Sequence, residues 1–517
     1  MSLSAPFLTQ LRAAVGDDAC STASVDRLAS GRDLWPRSLL QSRSAPLPGP
    51  SAVVWPGSVA EVQAVVRVCA QARVPLVPFG AGSGVCGGAL ATPGQVVLDL
   101  KRLKRVRTLD AARGLVEVEA GLNGELFERA LERHGLTLGH FPSSIQCSTV
   151  GGWVAARSAG QCSPRYGKIE DMVVELEVVT GEGRLRRTPP AGAPGPDWNQ
   201  LFIGSEGTLG VVTATTLRVH PQPAHRAFRG YMAPTLEAGF EIMRRTLQAG
   251  HRPAVLRLYD PVDTLMAGQK ASADVDTDAS KRDPAGGARL RTLLAGLSQP
   301  EGFGARVLRN VLASASLFNA VAGAVSRRSL LVTVCEGERA EATAADAALA
   351  EHARAVGAVD LGEAPGRHWL AHRHDVSYKQ SRLYRAGAFV DTFEVATTWS
   401  GLGALYTQVR EALAPHAVVM AHFSHPYPGG CSIYFTFVGT GDSPAAMRAR
   451  YDAAWDAALG AARTCGAALA HHHGVGLSRA RHLGRAHGDA VRWFEALKAT
   501  FDPAGILNPG KIYERTS

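Results

Sequence analysis

The sequence predicts an α+β protein that consists of more than one domain. A chain of 517 residues is longer than most single domains, so two or three domains are expected. Before Pro221-Gln222-Pro223, short strand-like segments alternate with glycine-rich loops. Beyond that boundary, strand-like and helical segments follow one another, which is typical of an antiparallel sheet covered by helices on one face.

The part of the chain before Pro221 contains segments that are rich in β-branched residues, and these segments are predicted to be strands. Ser58 is placed to cap a helix that continues to about Gln71. Residues 1–47 are predicted to be a helical lead-in and residues 48–220 the first domain. The predicted strands lie in VPLVPF, QVVLDL, GLVEVEAG, MVVELEVVTG and GVVTATTLRVH.

Residues 221–465 are predicted to form a second, cap-like domain, after which residues 466–517 return to the first. Residues 270–328 interrupt the second domain. The start of this insert is polar and predicted to be disordered. Its later part, residues 288–328, is apolar and basic, and fits amphipathic helices on a membrane surface or an internal helix pair. The other predicted strands are AVLRLYD, SLLVTVCEG and CSIYFTFVG, and the predicted helices are LEAGFEIMRRTLQAG, AEATAADAALAEHARAVGA and AAMRARYDAAWDAALGAARTCG.

Composition narrows the class of protein. The formal net charge of +9 comes mostly from arginine, which together with the many alanines and glycines is typical of a GC-rich genome. A basic balance also suits an acidic substrate or an anionic membrane surface. No Lys/Arg tract is interleaved with aromatic residues, so a nucleic-acid partner is not expected. There is no apolar run of about 18 residues and no secretory signal, so a cytoplasmic location is predicted. The eight cysteines form no CxxC pair, which indicates neither a disulfide framework nor a zinc site.

A glycine loop follows the first predicted strand, in PFGAGSGVCGGAL. It contains a GxGxxG pattern at Gly82, Gly84 and Gly87. A nicotinamide-binding turn needs a helix directly after this pattern. Here chain breakers and a strand follow, in ALATPGQVVLDL, which argues against that fold. The remaining interpretations are a backbone nest for a diphosphate and a simple tight turn.

Three consecutive histidines, His471, His472 and His473, precede Gly474-Val475-Gly476. On a strand, the first and third would share one face. In a loop, no such rule applies. The interpretation favoured here is catalytic or substrate-binding imidazoles. A metal site with His422 and His425 and a purely structural role are the alternatives, and no metal is predicted.

These blocks together resemble a known family. The glycine loop, PSSIQCSTVGG, FIGSEGTLG and FDPAGILNPGK resemble the vanillyl-alcohol-oxidase and glycolate-oxidase group of FAD enzymes, over residues 52–220 and again from about His422. Within that group, STVGGWVAARSAGQCSPRYGKIEDMVV, HFSHPYPGGCSIYFTF and HHHGVG resemble the alkylglycerone-phosphate synthases, which form the ether bond of ether lipids. The resemblance implies a two-part FAD-binding domain of the vanillyl-alcohol-oxidase type and a cap domain with an antiparallel sheet flanked by helices.

The resemblance implies FAD as cofactor. Some relatives carry a histidine in the first loop that bonds to the flavin. Ser83 stands near that place here, so non-covalent FAD is expected. The implied cofactor-binding residues are Pro78, Phe79, Gly80, Ala81, Gly82, Ser83, Gly84, Ser143, Ser144, Ile145, Gln146, Cys147, Ser148, Thr149, Gly152, Ala156, Arg157, Ser158, Ala159, Glu206, Gly207, Thr208, Leu209, Gly210, Val211 and Val212.

The resemblance also implies the catalytic set. Tyr434 corresponds to the family's acid/base tyrosine, the functional histidines correspond to His471, His472 and His473, and Arg257 corresponds to a substrate-binding arginine. His422 and His425 are further substrate-binding candidates. An unperturbed tyrosine has a pKa near 10, and a neighbouring imidazolium or guanidinium is expected to lower it towards the working pH.

One position departs from the family. Relatives carry a phosphate-binding arginine at the place of Gln380, ahead of Phe393-Glu394-Val395. An amide cannot make the charged, bidentate contact that a guanidinium makes with phosphate. Arg382 or Arg385 would have to substitute, or the substrate lacks a phosphate.

The predicted activity is the exchange of the acyl chain of an acylated dihydroxyacetone phosphate for a fatty alcohol. In the family, Tyr434 would remove a proton beside the ketone and the flavin would hold that carbon during the exchange. The alternatives are a flavin-dependent dehydrogenase or oxidase of a 2-hydroxy acid or related alcohol, and a flavin-binding protein without catalysis. The predicted partner is a lipid substrate, while a peripheral membrane contact and a homodimer are left open.

Overall fold

A computed structural model describes residues 3–42, 47–265, 327–375, 381–385 and 387–514, together with Leu312, Ala315, Ser316 and Asn319. The chain divides into two compact units. The first unit comprises Met1–Gly160, Tyr166–Gln222 and Ala470–Ser517, and the second comprises Gln161–Arg165 and Pro223–Leu469. Each unit is therefore assembled from segments that are distant in sequence.

The first unit contains a four-stranded sheet whose last three strands are parallel. These strands are runs of buried apolar residues, as expected for a parallel sheet that is covered on both faces. The strand order is Cys20–Ser21, Ala52–Val54, Val96–Asp99 and Leu76–Phe79.

A five-stranded antiparallel sheet completes the core of the first unit. Its strands alternate between the two faces. Val116 and Val118 point into the hydrophobic core, whereas Glu117 and Glu119 on the other face pair with Arg107. The strand order is Val106–Asp110, Leu115–Glu119, Val211–Arg218, Val173–Val179 and Leu185–Arg187, and a separate two-stranded pair joins Leu136–Thr137 to His220–Pro221.

The helices of the first unit begin where side chains can satisfy their first N–H groups. The Ser58 side chain accepts a hydrogen bond from the Glu61 N–H, which confirms the predicted cap. The Asn123 side chain caps the next long helix in the same way. The α-helices are Ala5–Val15, Ser24–Ser30, Pro36–Ser42, Val59–Ala72, Gly124–Glu132, Val150–Ala156, Ile169–Met172, Asn199–Phe202, Ala480–His487 and Ala490–Phe501; Ser163–Tyr166 crosses the unit boundary, and Asp17–Ala19 and Ile145–Cys147 are 3-10 turns.

The C-terminal segment of the chain closes the edge of the parallel sheet. The Leu76 N–H donates to the Ile506 carbonyl, and the Asn508 N–H donates to the Leu76 carbonyl, both over 2.8 Å. The Lys498 ammonium donates to the Asp502 carboxylate and to the Thr208 carbonyl. The edge strand of the sheet therefore obtains its hydrogen bonds from residues more than 400 positions later in the sequence.

The second unit is built on a seven-stranded antiparallel sheet. Its strand order is Val359–Asp360, His225–Ala233, Ser329–Gly337, Val255–Tyr259, Val418–Tyr427, Gly430–Thr440 and Ala388–Thr398. Its helices are Leu236–Gln248, Arg339–Ala355, Ala364–His372, Ser381–Arg385, Leu402–Leu413 and Pro444–Thr464, and Trp399–Gly401 is a 3-10 turn.

The two faces of this sheet differ in chemistry. On one face, the Phe423 ring contacts Phe240 and Tyr406 from two helices, with ring centroids 4.6 and 5.7 Å apart. Trp455 from a third helix contacts Phe393 on the same face. Since neighbours along a strand point to opposite sides, the polar residues between these rings lie on the other face. The predicted α+β fold with a helix-covered antiparallel sheet is confirmed.

Candidate active site

The loops predicted to hold the cofactor converge in the first unit. A Cβ atom on Gly80 would lie 2.3 Å from Thr149 Oγ1, and one on Gly207 would lie 2.9 Å from the Pro78 ring. Gly82 has a φ of +66°, in the left-handed region that favours glycine. The three segments therefore approach so closely that only small residues fit where they meet.

Several of the predicted cofactor residues direct their side chains into the core. Ile145 and Leu209 belong to a buried hydrophobic cluster, and Ser148 Oγ accepts a hydrogen bond from the Trp153 indole N–H over 2.8 Å. These positions can therefore face a cofactor mainly through the backbone. Backbone N–H groups in small-residue loops suit a diphosphate, so the residues present fit FAD.

Arg157 and Ser158 are engaged with protein groups. The Arg157 guanidinium donates to Glu170 and Gln200 over 3.1 Å each. Ser158 Oγ lies 2.7 Å from His140 Nε2. Burial lowers the pKa of His140 to about 3, so this imidazole is neutral. His140 was not predicted from the sequence, although it stands two residues ahead of the PSSIQCSTVGG loop.

His471, His472 and His473 lie in a loop of bends, not on a strand. The Nδ1 atoms of His471 and His472 are 2.9 Å apart, so one ring donates and the other accepts. The rings of His472 and His473 meet edge to face, with centroids 4.5 Å apart. The three imidazoles therefore form one cluster, and the strand alternation considered from the sequence does not apply.

Glu206, predicted as a cofactor residue, binds the loop that carries these histidines. Its carboxylate accepts hydrogen bonds from the Val475 N–H over 2.5 Å and from the Gly476 N–H over 2.9 and 3.1 Å. The Gly476 backbone also lies against the glycine loop, because the following residue, Leu477, donates its N–H to the Cys86 carbonyl over 2.9 Å. The histidine loop is thus joined by direct hydrogen bonds to the loops that are predicted to bind the cofactor.

Two further charged residues lie buried beside Glu206. Asp33 and Lys511 are 4% and 7% exposed. Desolvation raises the pKa of Glu206 to about 7 and that of Asp33 to about 6. Desolvation also lowers the pKa of Lys511, while Asp33 and Glu206 oppose that shift. Near neutral pH, this acidic pair therefore retains protons that exposed carboxyl groups would have lost.

The polar face of the second unit's sheet carries the other predicted catalytic residues. The His422 and Tyr434 rings are directly opposite each other in the strand register. Arg257 Nη2 donates to His422 Nε2 over 2.8 Å, and His422 Nδ1 lies 3.5 Å from Asp263 Oδ2. The Tyr434 hydroxyl donates to Thr392 Oγ1 over 2.9 Å. This network assigns the His422 proton to Nδ1.

The expectation of a lowered tyrosine pKa is wrong for this structure. Desolvation raises the pKa of Tyr434 to about 12, and the nearby Glu394 and Asp391 carboxylates add to the rise. Desolvation and Arg257 hold the pKa of His422 well below its ordinary value, so no imidazolium is present there. The hydrogen bond with Thr392 and the charge of Arg257 oppose this rise of the Tyr434 pKa, but burial has the larger effect.

His425 differs from His422 in its backbone conformation and in its contacts. It sits at a β-bulge with a φ of +57°, and its Nδ1 lies 2.7 Å from Ser163 Oγ. The Tyr427 hydroxyl donates to the same serine oxygen over 3.3 Å. No group of three or more potential metal ligands occurs among the residues that the structure describes.

Only some of the residues that were considered for phosphate binding lie among the described residues. Gln380 and most of the insert at 270–328 lie outside the described residues. Arg382 lies on the helix Ser381–Arg385, and the Arg385 side chain is exposed. Within the described part of the chain, no helix has the length and apolarity needed to cross a membrane.

Two family profiles match the chain. The profile of the FAD binding domain matches residues 50–189. The profile of the C-terminal domain of FAD-linked oxidases matches residues 222–512, which is more than half of the chain. The chain belongs to the FAD-linked oxidase family. FAD is therefore its cofactor, in agreement with the converging loops of the first unit.

Curated relatives of this family member include both synthases and oxidoreductases. Alkyldihydroxyacetonephosphate synthases from Trypanosoma brucei brucei and Dictyostelium discoideum are each 28% identical to it, over 98% and 90% of this chain and 80% and 73% of their own lengths. An uncharacterised FAD-linked oxidoreductase of Escherichia coli is also 28% identical, over 99% of both chains. Identity alone therefore does not separate a synthase from an oxidoreductase.

Solved structures confirm the fold of the family member. A structure of alkyldihydroxyacetonephosphate synthase matches with a TM-score of 0.74 at 23% identity, over 99% of this chain and 85% of that one. A structure of p-cresol methylhydroxylase matches with a TM-score of 0.73 at 17% identity, over 98% and 96%. The scaffold is thus shared by enzymes with different reactions, and the function has to be argued from the site.

Proposed function

We propose that this protein is an FAD-dependent enzyme of ether-lipid synthesis, which exchanges the acyl chain of an acylated dihydroxyacetone phosphate for a fatty alcohol. The observation that carries the proposal is the Arg257–His422–Tyr434 cluster on the polar face of the second unit's sheet. The synthase resemblance assigns Tyr434 to proton transfer and Arg257 to the substrate, and His422 is a further substrate-binding candidate. The triple histidine of the first unit supplies the remaining positions of that motif set.

Arg257 is the proposed anchor for the substrate's anionic end. Its Nη2 is bonded to a neutral imidazole, and its buried Nε has no hydrogen-bond acceptor among the described residues. A guanidinium in this state gains a charge-assisted hydrogen bond when a phosphate or carboxylate arrives. His422 keeps the guanidinium in place without neutralising it, because the accepting imidazole carries no charge.

Tyr434 is the proposed proton-transfer group. With a pKa of about 12, its phenol is protonated before substrate binds. Thr392 Oγ1 accepts the phenolic hydrogen and marks the resting position of the proton. The phenolate, formed by loss of this proton to solvent, would take up the proton of the substrate's acidic C–H, and the Arg257 charge favours this anion.

The cofactor is proposed to be held without a covalent bond. Bound FAD supplies an electrophilic ring that stabilises a carbanion or accepts a hydride. The loop residue at the place of the relatives' flavin-linking histidine is Ser83, whose alcohol has no comparable nucleophilicity towards the flavin. Gly80, Gly82 and Gly207 let the loops proposed to hold the cofactor pack closely on one another.

A transfer assay without any oxidant tests the proposal. The purified, FAD-loaded protein is incubated with an acylated dihydroxyacetone phosphate and an isotopically labelled long-chain alcohol. The expected result is a labelled ether product and an equimolar free fatty acid. Absence of ether product under these conditions, with FAD fully bound, would contradict the proposal.

An oxidoreductase is the second candidate, and one observation favours it: the E. coli FAD-linked oxidoreductase matches over 99% of both chains. In this case, Tyr434 and the histidines would act on a 2-hydroxy acid or a related alcohol. Turnover would then require an electron acceptor and would bleach the flavin when the acceptor is withheld. A non-catalytic flavin protein would show neither behaviour.

A further inference from the structure

Glu206 belongs to a loop that the sequence assigned to the cofactor, yet its carboxylate faces the histidine loop. The carboxylate accepts the two successive N–H groups of Val475 and Gly476, directly after the histidines. A Cβ atom on Gly474 would lie 2.3 Å from Glu206 Oε1. Gly474 also has a φ of +82°, which favours glycine, so a larger residue at this position would strain the loop as well as press on the carboxylate.

The backbone of Glu206 is fixed at both ends. Its N–H donates to the Ala155 carbonyl over 2.9 Å, and its carbonyl accepts the Asn508 side-chain amide over 2.7 Å. Its φ is +51°, an uncommon conformation for a residue with a side chain. Strained, over-determined residues of this kind occur where a side chain has to be held in one direction.

We infer that Glu206 is a positioning residue, which holds the His471–His473 cluster in register with the cofactor loops. The loop that bears the histidines has no helical or strand hydrogen bonds of its own. The carboxylate supplies two anchor points immediately after the cluster. On the other side, Gly476 packs so closely on the glycine loop that a Cβ atom there would lie 2.1 Å from the Cys86 carbonyl oxygen.

The positioning role of Glu206 rests on the proposed function in one respect, because it assumes that the histidines act on substrate. The anchoring of the histidine loop by Glu206 is independent of that assumption. Three variants separate the anchoring of the loop from the activity of the histidines. Glu206→Ala removes both acceptor oxygens, whereas Glu206→Gln retains one carbonyl oxygen. Gly474→Ala leaves the carboxylate in place but displaces the loop. Asp33→Asn is the matched control, because Asp33 is the other buried acid of the cluster and bonds to the Trp35 N–H instead of to the histidine loop.

The first measurement is amide hydrogen exchange of the peptide that contains Val475 and Gly476, in the FAD-loaded full chain. We expect exchange to accelerate about tenfold or more in Glu206→Ala and Gly474→Ala, and to stay near the wild-type rate in Glu206→Gln and Asp33→Asn. Unchanged exchange in Glu206→Ala and Gly474→Ala would overturn the inference. This result does not depend on which reaction the protein catalyses.

The second measurement is turnover. We expect kcat of Glu206→Ala to fall about tenfold or more with FAD still bound and KM little changed, and Glu206→Gln to recover most of that loss. In the double variant Glu206→Ala/His473→Ala, the losses should not multiply, since both changes remove the same imidazole from its place. Loss of FAD in parallel with kcat, or fully multiplied losses, would assign Glu206 a cofactor-binding or independent role instead.

Discussion

The ring of His422 lies stacked on the ring of Tyr434, with centroids 4.6 Å apart and planes 19° from parallel. The stack forms because the two residues are direct partners in neighbouring antiparallel strands. It shields the phenol from water on one side, while Arg257 holds the far edge of the imidazole. The acid/base candidate is therefore a desolvated tyrosine beside a neutral histidine, not beside an imidazolium.

Removal of the Tyr434 hydroxyl should strongly lower turnover without releasing FAD. We expect Tyr434→Phe to lower kcat by about 10²–10⁴, the usual effect of losing a general acid/base. The matched control is Tyr231→Phe in the same sheet. The Tyr231 hydroxyl is buried and has no hydrogen-bond partner among the described residues. Its removal should leave kcat unchanged, and near-normal turnover of Tyr434→Phe would refute the assignment.

The pH dependence of turnover tests how Tyr434 works. If its anion is the working form, the pKa of about 12 means that only a small fraction is active near pH 7. Turnover should then rise by about tenfold per pH unit between pH 7 and 9 while chemistry limits the rate. The residual rate of Tyr434→Phe should lack this slope. A flat wild-type profile would indicate that the neutral phenol acts as a proton donor.

The acidic pair of the first unit should make stability depend on pH. In the folded state, the pKa of Glu206 is raised from 4.5 to about 7 and that of Asp33 from 3.8 to about 6. The folded protein therefore binds these protons more tightly than the unfolded chain. This contribution to stability is complete below pH about 4 and is lost as the pH rises through 6 and 7.

Thermal unfolding at pH 5 and at pH 8 measures this effect. We expect the apo protein to unfold at a temperature a few degrees lower at pH 8, corresponding to about 1–2 kcal/mol. In Glu206→Gln, whose amide does not titrate, the difference between the two pH values should be smaller. An equal or larger difference in that variant would show that other groups determine the pH dependence.

Acid precipitation tests how FAD is attached. We expect trichloroacetic acid to release all the flavin into the supernatant, since Ser83 stands where some relatives carry a flavin-linking histidine. Absorbance of the supernatant and of the pellet gives the two fractions. Yellow colour that stays with the precipitated protein would contradict non-covalent binding.

Gln380→Arg tests whether the substrate carries a phosphate. A charged contact to phosphate is worth a few kcal/mol, so KM for a phosphorylated substrate should fall by about tenfold or more. Gln71→Arg adds the same charge at an exposed helix position of the first unit and should change nothing. If both variants behave like the wild type, Arg257 and the neighbouring arginines grip the polar end, or the substrate has no phosphate.

Much of the fold could be predicted because its strands and helices carry regular local patterns. Two of the strands that were not predicted carry mixed patterns. His225–Ala233 contains two arginines and a glycine, and Ala388–Thr398 contains buried Asp391 and Glu394. Their pairing is determined by partners elsewhere in the sheet, which no local pattern records.

The sequence predicted which residues belong to the candidate site. It did not predict which of these residues contact one another. The Arg257–His422 hydrogen bond joins residues 165 positions apart, so only the sheet order brings them together. The direction of the Tyr434 pKa shift failed for the same reason. The sequence shows which charged residues can shift the pKa of Tyr434. The burial of Tyr434, which has a larger effect on this pKa than those charges, depends on the folded sheet.

The closure of the parallel sheet by Ile506 and Asn508 has a consequence for how the protein is made. The 247 residues at 223–469, which form nearly all of the second unit, are synthesised before residues 470–511 emerge. At bacterial or eukaryotic elongation rates, this takes roughly 10–50 s. During that interval the nascent chain exposes the Leu76 edge, a template for wrong pairing. Flavin capture is therefore expected only after residues 470–511 have been synthesised and have closed this edge.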